Sequence, residues 1–232
     1  MSTRLLARLG AAGGIAYAGL IVVAGQIGPA AGIPATSASP DAIGAYISNH
    51  PPSAAQWAGV YLEVLALLAF VVFVGYLWRV LRDAERDGGW LAGVALSGGL
   101  LSAAIKLGSL PAALAALYRA DDGISSQVAT ALIDMNNIAF ALTWAPTALM
   151  LSATAGVALR TGVLPRWLGW SGIAIAVGLL ASLPFAASAD PPTFLLALIW
   201  IVAASVVLVR RVDRPTVARA RGLAFTPTSE AT

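Results

Sequence analysis

The stretch 57–78, WAGVYLEVLALLAFVVFVGYLW, decides the fold: twenty-two residues bounded by tryptophans and carrying one charge, Glu63. As an α-helix it rises about 33 Å, enough to cross a hydrocarbon core of about 30 Å. Charges punctuate the rest of the chain at similar intervals. Between Arg8 and Asp41 there is none, between Asp87 and Arg119 only Lys106, and between Asp122 and Arg160 only Asp134, while 167–189 and 191–209 are clean. The spacing predicts spans at about 10–28, 57–78, 90–117, 128–159, 168–187 and 193–209. The composition agrees: of 232 residues, 59% are hydrophobic and 11% charged, against about 25% charged in a soluble domain. The expected fold is therefore all-α and polytopic, one six-helix transmembrane domain over 1–209 with a basic, disordered tail at 210–232.

Basic residues near span ends are retained on the cytoplasmic side. Arg4, Arg8, Arg79, Arg82, Arg86, Arg160, Arg166, Arg210, Arg211, Arg214, Arg219 and Arg221 fall on one side and only Arg119 on the other, so both termini are expected in the cytoplasm. Trp57, Trp78, Trp90, Trp167 and Trp170 sit at span ends, where an aromatic belt belongs. A cleaved signal peptide is the alternative for the first span, although its apolar run exceeds the usual 7–15 residues. Small-residue stripes at Gly10, Gly14 and Ala18 and at Gly98 and Ser102 predict close helix contacts. Such stripes serve packing within the chain first, and a homo-oligomer or protein partner second. The similarity between Leu81-Arg82…Trp90-Leu91 and Leu159-Arg160…Trp167-Leu168 is read as shared topology rather than duplication.

In the loop 29–56, Ser39-Pro40-Asp41 reads as a helix start. Ile43, Tyr46, Ile47 and His50 follow at helical spacing until Pro51 and Pro52 stop the helix. His50 is read as a loop histidine, with a pH-sensitive contact to the bundle as the sharper alternative. The basic start of the tail serves cytoplasmic retention. Contact of Arg210, Arg211 and Arg214 with anionic lipid is the alternative, at about 1 kcal/mol per residue.

The absence of Cys and the single His50 and single Lys106 exclude thiol catalysis, Cys-ligated iron–sulfur or zinc centres, and haem held by two histidines of one chain. No metal or redox cofactor and no nucleic-acid partner is expected. The informative residues are the ionisable groups inside spans, each costing about 2.5–3.5 kcal/mol at the bilayer centre. Glu63 and Asp134 lie about 9 Å below the outer boundary and Lys106 about 16 Å, within reach of a snorkelling stem. The three are expected to form one layer in the outer half of the bundle, joined by Asn136 or Asn137, Ser109 and Gln26. Pro111, Pro146 and Pro184 are expected to bend their helices.

A buried ionic network that fixes helix register is the leading reading of these groups. A polar cavity that binds a small ligand or relays protons is the second. Two catalytic readings follow: a Ser–Lys pair of Lys106 with Ser102 or Ser109, which lacks a legible oxyanion hole, and a retinal-type Schiff base on Lys106.

The run Leu164-Pro165-Arg166-Trp167-Leu168-Gly169-Trp170, with six spans, cytoplasmic termini and Asp134-Met135-Asn136-Asn137, resembles a domain-of-unknown-function family of bacterial six-helix membrane proteins over residues 5 to 210. The resemblance implies the fold and no activity or site residue. Thirteen Arg against one Lys suggests a GC-rich bacterial genome, hence a multi-pass protein of the bacterial inner membrane. The expected role is that of a non-enzymatic scaffold or accessory subunit. The alternative is a small-ligand or proton-coupled transporter using Glu63, Lys106 and Asp134.

Overall fold

A computed structural model describes residues 3–27, 38–49, 53–85, 88–120, 122–185 and 192–213. These residues form α1 (Thr3–Ile27), α2 (Pro40–Asn49), α3 (Ala54–Ala84), α4 (Trp90–Tyr118), α5 (Ser126–Leu142), α6 (Trp144–Thr161), α7 (Arg166–Ser182), a 3₁₀ turn (Leu183–Phe185) and α8 (Pro192–Asp213), with no strand among the described residues. Six stretches are long and apolar enough to cross a membrane: α1, α3, α4, α5 with α6, α7 with the 3₁₀ turn, and α8. His50, Arg214 and the rest of the tail lie outside the described residues.

Helix ends follow local chemistry. Ser53 and Gln56 close a capping box on α3, the Gln56 N–H donating to Ser53 Oγ (3.2 Å) and the Ser53 N–H to Gln56 Oε1 (3.0 Å). Between α3 and α4, Gly88 and Gly89 take φ of +81° and +71°, a conformation that favours glycine. The turn lets Glu85 accept from the N–H groups of Leu91 (3.3 Å) and Ala92 (3.0 Å) at the start of α4. Several helices outrun the apolar runs that predicted them: α3 spans 54–84 rather than 57–78, and α1 begins at Thr3 rather than at 10. Hydrophobicity marks the part that lipid surrounds, and hydrogen bonding continues beyond it until a cap intervenes.

The expected span 128–159 is broken at Thr143, a difference that Pro146 explains. Pro146 has no N–H for the Leu142 carbonyl, and in the interior of one long helix its ring would clash with it. With α6 starting at Trp144, Pro146 falls in a first turn, where proline is tolerated. Thr143 closes α5 through its N–H to the carbonyls of Ala139 (3.2 Å) and Phe140 (3.1 Å), and its Oγ1 donates to the Phe140 carbonyl at 2.6 Å. Pro111, by contrast, stays inside α4, and Pro184 falls in the 3₁₀ turn.

Consecutive spans are neighbours in space, and α8 returns to α1, so the six close into a ring. The start of α1 and the end of α8 meet at one end of it, where Arg8 Nη2 pairs with Asp213 Oδ1 at 2.7 Å; this is called the basic end below. Lipid offers helices little hydrophobic reason to associate, so the contacts rely on close approach of small residues. A Cβ on Gly13 would stand 2.7 Å from the Ala69 carbonyl oxygen of α3, and one on Gly98 2.6 Å from the Pro146 carbonyl oxygen of α6. Gly10 abuts Tyr76 of α3, and Gly14 abuts Ser205 and Ile201 of α8. The glycine stripes on α1 and α4 therefore serve helix contacts within the chain, the first of the two roles that the sequence suggests for them. At the opposite end, α2 lays Ile43 and Ile47 on Ala116, Ala129 and Ile133 of α4 and α5.

Candidate functional site

Three spans bring a polar cluster together at one depth. Glu63 lies nine residues into α3, Asn136 ten into α5, and Lys106 twelve before the end of α4. At 1.5 Å per residue all three lie about 13 to 18 Å from the end of the bundle opposite the basic one. Lys106 Nζ stands 3.2 Å from Glu63 Oε1, with 13% of each side chain exposed. The same ammonium donates to Asn136 Oδ1 at 3.1 Å and lies 5.9 Å from the centre of the Phe140 ring. Ser109 Oγ lies 3.1 Å from Asn136 Oδ1 and 2.9 Å from the Lys106 carbonyl, and its one proton serves one of them at a time.

Chemically this is an ammonium with a carboxylate partner, an amide acceptor and an aromatic face. Glu63 offsets the charge that burial would otherwise penalise, and the planar ring accepts part of the remainder. The two serines weighed as partners of a Ser–Lys pair are engaged elsewhere: Ser102 Oγ pairs with Thr147 Oγ1 at 3.0 Å, and Ser109 is bound as above.

Asp134 does not join this cluster, contrary to the expected triad. It lies two residues before Asn136, and two residues turn a helix by about 200°, so a helix that aims Asn136 at Lys106 aims Asp134 elsewhere. Its Oδ1 is buried with no hydrogen-bond partner among the described residues. Asn137, one turn on from Asp134, is half-buried and outside the cluster, and Gln26 is exposed near the end of α1. Of the residues singled out in the sequence, Glu63, Lys106, Asn136 and Ser109 thus meet.

Beside Lys106 is a cavity of about 40 Å³, lined by Tyr17, Phe70, Ser102, Phe140, Thr143 and Thr147 together with residues of α8. A water needs about 10–15 Å³ measured this way, so the space suits two or three waters and falls well short of the 300–1,000 Å³ of organic-ligand sites. Tyr17, Thr143 and Thr147 were not singled out in the sequence. The only signal available was a hydroxyl inside an apolar span, which many buried serines and threonines share.

A family model described as a domain of unknown function (DUF4386) matches residues 12–210. The match covers most of the stretch over which the run around Leu164–Trp170 suggested a family. No curated protein and no solved structure matches the chain.

Proposed function

This chain belongs to the DUF4386 family of domains of unknown function, and from its own residues we propose that it is a non-enzymatic scaffold or accessory subunit of the bacterial inner membrane, with both termini in the cytoplasm. Three of its six spans, those containing α3, α4 and α5, are held in register by the Glu63–Lys106–Asn136 cluster. One observation carries this reading: a single ammonium bridges a carboxylate on α3 and an amide on α5 from its place on α4. A paired charge inside a bundle fixes which helices meet and at what height, even where it adds little net stability. The neighbouring space, at about 40 Å³, is too small for an organic substrate.

The test is a double-variant cycle on detergent-solubilised protein. Lys106→Met alone leaves Glu63 buried without its partner and is expected to cost about 3 kcal/mol of unfolding free energy. Lys106→Met combined with Glu63→Gln is expected to recover much of that loss. Equal, additive losses from the two substitutions would overturn the lock.

Proton-coupled or small-ligand transport is the second reading, favoured by the broken span at Thr143 beside the cavity. Discontinuous helices of this kind line transporter sites. It requires the double variant to fold yet abolish proton flux in proteoliposomes, and Ser109→Cys to be modified from outside by a water-soluble reagent.

A further inference from the structure

A second cleft, of about 720 Å³, opens at the basic end between the end of α3, the start of α4, the end of α6 and the end of α8, lined by Asp83, Glu85, Trp90, Arg160 and Arg211 among others. Its size lies within the range of small-molecule sites. Among the described residues its charges are balanced, two guanidiniums against two carboxylates, and they are not equally free. Glu85 is held by the Leu91 and Ala92 N–H groups, where the positive end of α4 offsets its charge. Arg211 Nη1 donates to the Val163 carbonyl at 2.5 Å, which anchors its guanidinium at the cleft. Arg160 and Asp83 make no ion pair or hydrogen bond with any described residue. The cleft thus presents two cations, one of them unengaged, and one unengaged anion.

Its position supplies the second half of the inference. The exposed indole of Trp90 marks the boundary between hydrocarbon and headgroups, and the ends of four spans put the cleft at headgroup depth on the side crowded with arginine. We propose that this cleft binds the headgroup of a phosphoethanolamine lipid, its phosphodiester on Arg160 and Arg211 and its primary ammonium on Asp83. Guanidiniums suit phosphate oxygens in a planar, two-pronged geometry. A purely anionic headgroup satisfies the arginines but meets Asp83 as a like charge. A choline headgroup brings a cation with no N–H to donate to the Asp83 carboxylate. The inference rests on the chain spanning a membrane and is independent of the cluster around Lys106.

The test titrates detergent-solubilised full-length protein with dilauroyl phosphatidylethanolamine, phosphatidylglycerol and phosphatidylcholine, and with acyl-free glycerophosphoethanolamine, reading occupancy by native mass spectrometry. The ethanolamine lipid is expected to bind at least about fivefold more tightly than the other two lipids, the scale of one charge-assisted hydrogen bond at a partly wet site. Asp83→Asn is expected to erase that preference over phosphatidylglycerol. Arg160→Gln is expected to weaken both lipids alike by about fivefold. Both side chains are exposed and unpaired among the described residues, so neither change is expected to alter the melting temperature. Equal binding of the three lipids, a preference that survives Asp83→Asn, or binding of glycerophosphoethanolamine as tight as that of the lipid would each overturn the proposal. The Lys106→Met, Glu63→Gln double variant is expected to keep the preference, which separates a failure here from a failure of the register lock.

Discussion

At the scale of single residues, Lys106 is where charge, depth and packing meet, and Asn136 is the partner that makes the site more than an ion pair. Its Oδ1 faces both Lys106 Nζ and Ser109 Oγ. Asn136→Ala strips that acceptor from a buried ammonium and is expected to cost about 1–3 kcal/mol in unfolding experiments. Asn137→Ala is expected to stay within about 0.5 kcal/mol, because its side chain lies outside the cluster. The two carboxylates should also part company: Glu63→Gln removes an ionic partner and destabilises, while Asp134→Asn removes a charge with no ion pair among the described residues and is expected to leave stability unchanged or raised. Depth was legible for all of these residues, because it follows from counting along a span. Direction around the helix axis was not: Asp134 and Asn136 are both expected in the layer, yet about 200° separates them, and the packing of α5 on α4 aims Asn136 at Lys106 and Asp134 elsewhere.

At the scale of helices, the sequence marked six apolar runs, which the helices outrun by up to seven residues, and a bend at Pro146 where the structure has a break. The apolar run from Val128 to Leu159 reads as continuous, yet the chain restarts its hydrogen bonding at Trp144, so that Pro146 occupies a first turn. The break places Thr143 and Thr147 beside Lys106 and creates the small cavity there. Glycines within one helix divide just as sharply. Gly98→Ala drives a methyl group against the backbone of Pro146 and Met150, at 2.6 and 2.8 Å, and is expected to destabilise by about 1–3 kcal/mol. Gly93→Ala, in the same helix with nothing within 4 Å of the new atom, is expected to stabilise by about 0.5–1 kcal/mol through helix propensity. Comparing the two midpoints in one denaturant series checks the contrast, and a loss at both positions would mean that α4 packs differently.

At the scale of the whole molecule, the ring is closed by α1 on α8 and pinned at the basic end by Arg8 and Asp213. The distribution of arginine supports both termini lying in the cytoplasm. Since the chain contains no cysteine, single substitutions report sidedness cleanly. Asn49→Cys and Asp122→Cys are expected to react with an impermeant maleimide on intact cells, and Arg82→Cys only after permeabilisation; the reverse pattern would invert the topology. Composition and spacing along the chain were enough to mark six stretches long and apolar enough to cross a membrane and to put Glu63 and Lys106 near one level. These properties follow from composition and from rise per residue, and both accumulate along the chain. It took the fold to show that Asn136 reaches Lys106 and Asp134 does not, which neighbours the glycine stripes meet, and that Asp83, Arg160 and Arg211 line one cleft. Each of these depends on how a helix is rotated and which neighbour it meets, and a charge or a glycine in a sequence carries no record of that angle.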